Sequence, residues 1–68
     1  MSEEHKRLLN SLLFKPVKYK IVNENSKRLL IVGIMKTNRD YYYVKIFSFF
    51  KKEGKWSREE ISLNNLEE

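Results

Sequence analysis

Sixty-eight residues with a formal net charge of +5 and no cysteine make one small domain, residues 1–68, whose core is limited because a chain of this length buries only roughly 60% of its unfolded surface. A disulfide staple and a thiolate metal site are excluded by composition. The longest apolar run, Leu29 to Met35, is too short to span a bilayer and the N-terminus lacks a signal-peptide pattern, so an intracellular, cytoplasmic protein without membrane association is expected.

The charge is unevenly spread. Residues 15–58 hold twelve Lys or Arg against Glu24, Asp40 and Glu53, whereas residues 59–68 hold only the acids Glu59, Glu60, Glu67 and Glu68. A basic excess confined to one segment points to a polyanionic partner.

Ser2 is placed to cap a helix whose first turn carries Glu3 and Glu4, where the helix dipole favours acids. Leu8, Leu9, Leu12 and Leu13 recur at helical spacing, and Pro16 biases Lys15 away from helical angles, which predicts a helix over residues 3–14. His5 is read as facing solvent. Val17, Tyr19 and Ile21 alternate with Lys18 and Lys20, giving a half-buried strand over about 17–23 with its lysines outward. Asn23 to Ser26 turn the chain into a central strand over about 28–36, in which Gly33 marks a bulge or a close approach. Thr37 to Asp40 make the next turn, a third strand covers about 41–51, and Lys52 to Lys55 turn the chain into a fourth over about 56–63, ended by Asn64 and Asn65. The fold class is therefore α+β, an N-terminal helix packed on a four-stranded antiparallel meander, with Leu9, Leu12, Leu13, Val32, Ile34, Val44 and Ile46 expected in the core.

The third strand is the most unusual stretch: Tyr41 to Lys52 contains six aromatic residues among twelve. Alternation puts Tyr42, Val44 and Ile46 on one side, read as core, and Tyr43, Lys45, Phe47 and Phe49 on the other. Rings interleaved with a cation suit nucleic acid or a second subunit. No catalytic constellation accompanies them: there is one histidine, two glycines cannot form a phosphate-cradling loop, and the adjacent Glu59 and Glu60 point to opposite faces of a strand. A non-enzymatic binding protein is expected, with no metal, cofactor or small-molecule substrate. The candidate nucleic-acid-binding residues are Lys18, Lys20, Lys36, Arg39, Lys45, Lys51, Lys52 and Arg58 for phosphates, with Tyr43, Phe47, Phe49, Phe50 and Trp56 for stacking.

From the third strand onward the chain resembles the positive-cofactor-four family of transcriptional coactivators. The resemblance lies in Val44-Lys45-Ile46-Phe47-Ser48-Phe49-Phe50, the turn Glu53-Gly54-Lys55-Trp56, Arg58, and Ile61-Ser62-Leu63-Asn64. It implies a curved four-stranded sheet that dimerises and binds single-stranded or melted DNA. Phe50 falls where that family has a stacking tryptophan and Lys36 at a basic position of the preceding strand; the family's second stacking aromatic falls near Asn38, with Tyr41 as its substitute. The family's long helix after the last strand has no counterpart here, where the helix comes first. The resulting expectation is a homodimeric, sequence-tolerant single-stranded DNA-binding protein of transcription or replication, with RNA or duplex DNA as further ligands. The alternative is a small protein-binding regulator or inhibitor that uses the aromatic strand as its contact surface.

Overall fold

The computed structural model describes residues 2–63, in which helix α1 (Glu3–Asn10) precedes strands β1 (Lys18–Asn25), β2 (Arg28–Lys36), β3 (Tyr42–Lys52) and β4 (Lys55–Ser62). The strands form one antiparallel sheet in the order β1-β2-β3-β4, so the chain is an α+β meander with strand limits within two residues of those expected. Asn64, Asn65, Glu67 and Glu68, to which the strand end and part of the acidic tail were assigned, lie outside the described residues.

Ser2 caps α1 as its position suggests: its Oγ accepts from the His5 N–H at 3.1 Å. The helix stops at Asn10, four residues short of expectation. Ser11 ends it, donating its hydroxyl to the Leu8 carbonyl at 2.7 Å, a local bond that competes with helix continuation. Leu8, Leu9 and Leu12 still reach the core. Leu13, expected beside them, is 84% exposed.

Two of the hairpins are two-residue loops. Ser26-Lys27 joins β1 to β2, with Asn25 Oδ1 accepting from the Lys27 N–H at 2.9 Å. Glu53-Gly54 joins β3 to β4 with φ of 53° and 78°, the positive pair of a type I′ turn, whose twist matches that of the strands. Between β2 and β3, Thr37 Oγ1 accepts from the N–H groups of Arg39 and Tyr41 and so organises a longer loop.

The core lies on the side of the sheet opposite to the one expected. Leu29, Ile31 and Met35 of β2 and Phe47 and Phe49 of β3 are buried with Leu12, whereas Val32, Val44 and Ile46 are half-buried and Ile34 is 40% exposed on the far side. A bulge at Val22 accounts for the exchange. Near the loop Asn23 pairs with Leu30; beyond the bulge Ile21 pairs with Ile31 and Lys20 with Val32. An uninterrupted ladder would set Ile21 against Val32, and one residue of slip moves every later side chain to the other face.

Gly33 lies on the helix side, and the bulge sits in β1 instead. A Cβ at Gly33 would stand 2.8 Å from Pro16 Cβ and 3.4 Å from Phe47 Cε1. The missing side chain is therefore what lets the helix–strand connection lie directly on the sheet.

Candidate nucleic-acid interface

The sheet has two unlike sides. On the helix-covered side, Glu4 in the first turn of α1 accepts from the Trp56 indole N–H at 2.7 Å and from the Lys51 ammonium at 3.2 Å. Those bonds, Trp56 first, hold the Glu4 carboxyl below the usual carboxylate range against the opposing effect of burial. His5 follows it. Only 3% exposed, and not facing solvent as its position in the sequence suggested, it meets the edge of Trp56 at 5.8 Å between ring centres and pairs through Nδ1 with Glu24 Oε2 at 2.9 Å. This hydrogen bond likewise holds Glu24 below the usual range. At the other end of β4, Glu60 takes both Lys45, at 2.6 Å, and Arg58, at 2.9 Å.

Seven of the thirteen candidate site residues thus belong to this covered side and have other work. Phe47, 1% exposed, is core and offers no ring face; Phe49 is buried beside it. Tyr43 and Trp56 are half-buried against the same cluster. Lys45, Lys51 and Arg58 are neutralised by carboxylates, and the Lys45 and Lys51 ammonium groups lie over the rings of Phe47 and Trp56 at 5.5 and 5.8 Å.

The remaining candidates other than Arg39 share the open side. Lys18 and Lys20 stand on β1 across from Ile34 and Val32, Lys36 and Phe50 lie at opposite ends of the β2–β3 ladder, and Lys52 faces Lys55 at the hairpin. Arg39 is exposed in the β2–β3 loop. Lys36 is the one whose charge is shared, with Asp40 at 3.3 Å, and its ammonium lies 5.9 Å from the centre of the exposed Tyr42 ring. Three contributors escaped sequence reasoning. Arg28 pairs with Phe50 and reaches Ser48 Oγ at 3.5 Å, Lys55 pairs with Lys52, and Tyr42 flanks Lys36. Parity along each strand, counted from the outward lysines of β1, would have missed them, because the extra residue at Val22 shifts the register so that Lys20 pairs with Val32 instead of Gly33.

Charge and shape on this side are simple. Lys18, Lys20, Arg28, Lys52 and Lys55 make no ion pair among the described residues, and Glu59 is the one acid that the β4 register sets on the same side. Between the cations runs a block of Val32, Ile34, Val44, Ile46, Ile61 and Leu63, the last held opposite Val44 by its N–H to the Val44 carbonyl at 2.8 Å. No cluster of metal-ligating side chains occurs among the described residues, and no helix among them is long and apolar enough to cross a membrane. Searches of protein-family models, curated proteins and solved structures find no match to the chain.

Proposed function

We propose that the chain binds single-stranded nucleic acid, DNA foremost, with little sequence preference through the open side of its sheet, as an accessory factor in transcription or replication comparable to the coactivator family it resembles. The observation that carries this reading is the division of charge within the sheet: the strand cations on the helix side, Lys45, Lys51 and Arg58, are spent on Glu4 and Glu60, while five on the open side have no carboxylate partner among the described residues. An unpaired surface cation is available to a phosphate and releases a condensed counterion when it binds one. Phe50 and Tyr42 lie on that same side and supply ring faces, each worth about 1–3 kcal/mol to a stacked base. Among the described residues no helix or arm projects from this sheet face to enter a major groove, which favours a single strand over a duplex. No catalysis is part of the proposal.

A fluorescence-anisotropy titration against single-stranded and duplex oligonucleotides, at low and at physiological salt, tests it. Tighter binding of the single strand is expected, with log K falling against log salt by about 0.7 for each phosphate neutralised, hence a slope of about −3.5 if all five open-side cations engage. Failure to bind at low salt, or binding indifferent to salt, would overturn the proposal in favour of a protein partner.

A further inference from the structure

The surface that carries Lys18 and Lys20 does not end at the β1 edge. Both lysines point to the open side, and Tyr19 between them points the other way, opposite Gly33 and the Pro16 ring that rests against it. The helix stops at Asn10 and leaves this corner of the covered side bare, so Tyr19 is 47% exposed. Two clefts flank it. One, of about 420 Å³, lies on the open side between Lys18, Lys20, Val32 and Ile34; the other, of about 450 Å³, lies on the helix side between Lys6, Leu9, Asn10, Lys15 and Pro16. Tyr19 lines both.

We infer that the bound single strand turns round the β1 edge from the open cleft into the cleft behind it, with a base stacked on Tyr19 and a phosphate on Lys15. This rests on the nucleic-acid reading and extends its site by residues of the covered side. Continuity selects the occupant, since a strand lying along Lys18 and Lys20 meets the Tyr19 ring next. Charge selects it too. Among the described residues no acid lines either cleft, and Lys15, Lys18 and Lys20 form no ion pair. Lys6 is shared with Glu3 at 3.6 Å and belongs to a helix whose last carbonyls lie at this cleft, so the phosphate is assigned to Lys15 on the connection, beyond the helix's negative end. Leu9 and Pro16 give a base an apolar wall, and the Asn10 amide offers a donor and an acceptor to its edge.

The path also bears on strandedness. Duplex DNA, with a persistence length of about 50 nm, cannot follow a turn over the width of one β-strand, whereas a single strand can. An extended peptide pairing with β1 as a fifth strand is the competing occupant. The edge opposes it, because lysines and a bulge, here Lys18, Lys20 and the extra residue at Val22, are devices by which edge strands deter pairing.

Anisotropy titrations of the full chain with an oligothymidylate of about 20 nucleotides, and with a duplex of the same length, test the inference. Tyr19→Ala is expected to weaken single-strand binding by at least about fivefold, the lower end of the stacking range, and to leave duplex binding unchanged. Tyr19→Phe should bind like wild type, because stacking needs only the ring. Lys15→Ala, at an exposed position, should flatten the plot of log K against log salt by about 0.7. In heteronuclear NMR spectra of wild type, the Leu9 and Lys15 amide signals should shift together with those of Lys18 and Lys20 as the strand is added. If wild type binds but Tyr19→Ala keeps its affinity, or Lys15→Ala its salt slope, the inference is overturned and the open-face reading stands. If wild type does not bind at low salt, both fall. An oligoglutamate peptide run in parallel should bind more weakly than the oligothymidylate; tighter binding that Tyr19→Ala abolishes would make the edge a peptide site and overturn the inference. Should Tyr19→Ala fail to fold, the Lys15→Ala slope and the wild-type spectra decide the matter.

Discussion

Gly33→Ala isolates one contact that seats the helix on the sheet. The added Cβ would lie 2.8 Å from Pro16 Cβ and 3.2 Å from Pro16 Cγ, where carbon atoms prefer about 3.5–4.0 Å. The Pro16 ring is tied to its backbone and cannot swing aside, so relief requires the helix–strand connection to lift by about 1 Å. Overpacking of this kind costs about 1–3 kcal/mol, and replacing a strand glycine by alanine returns about 0.5–1 kcal/mol of backbone entropy. The net destabilisation should be about 1–2 kcal/mol, a fall in melting temperature of roughly 5–15 °C for a domain of this size, read by far-UV circular dichroism. In a Pro16→Gly background the obstacle is gone, and the cost of Gly33→Ala should largely vanish, which a double-mutant cycle measures. Gly54→Ala serves as the contrast, because Gly54 has φ of 78° and nothing within 4 Å; its cost of about 1 kcal/mol is conformational and should be the same in both backgrounds. The reasoning fails if Gly33→Ala is as stable as wild type, or if its cost is unaffected by Pro16→Gly.

Other perturbations separate the two faces. Phe47→Ala, at a fully buried ring, should cost about 3–5 kcal/mol in urea unfolding, whereas Phe50→Ala, at a half-buried ring on the open side, should cost about 1 kcal/mol; equal costs would refute the assignment of faces. Glu4 and Glu24 have folded-state pKa values below the ordinary one, so their bonds stabilise the fold fully above the unfolded glutamate value of about 4.3 and lose that contribution as pH falls through the lower folded values. Melting temperature and Trp56 fluorescence should drop together in that acid range, and Glu4→Gln should flatten the fluorescence change. Glu53 occupies a left-handed conformation with φ of 53° that asparagine tolerates better, so Glu53→Asn should stabilise the protein by about 0.5–1 kcal/mol in thermal melts.

How far the fold could be read from residues differs between levels. Helix start, strand order and turns followed from Ser2, Pro16, the alternation of Tyr19 and Ile21 with lysines, and Glu53-Gly54, because each is a local signal. The choice of face was not local. β2 and β3 are apolar on both sides, so alternation within them cannot say whether Val44 and Ile46 or Phe47 and Phe49 face the helix, and the extra residue at Val22 inverts the answer that a regular ladder would give. The candidate site suffered from the same uncertainty. Lys45, Lys51 and Arg58 looked equivalent to Lys18, Lys20 and Lys52 because their carboxylate partners, Glu60 and Glu4, include one 47 residues away in the chain. His5 looked exposed because its partner Glu24 lies across the helix–sheet junction. Pairing at such distances becomes visible only when the elements are brought together.

The division of charge between the two faces is the central claim, and the salt dependence of single-strand binding by alanine variants tests it most directly. Lys20→Ala and Lys52→Ala, on the open side, should each weaken binding and flatten the plot of log K against log salt by about 0.7, one phosphate contact. Lys45→Ala and Lys51→Ala, whose charges are held by Glu60 and Glu4, should leave that slope unchanged. A slope that responds equally to all four substitutions, or more to Lys45 and Lys51, would contradict the assignment of nucleic acid to the open face.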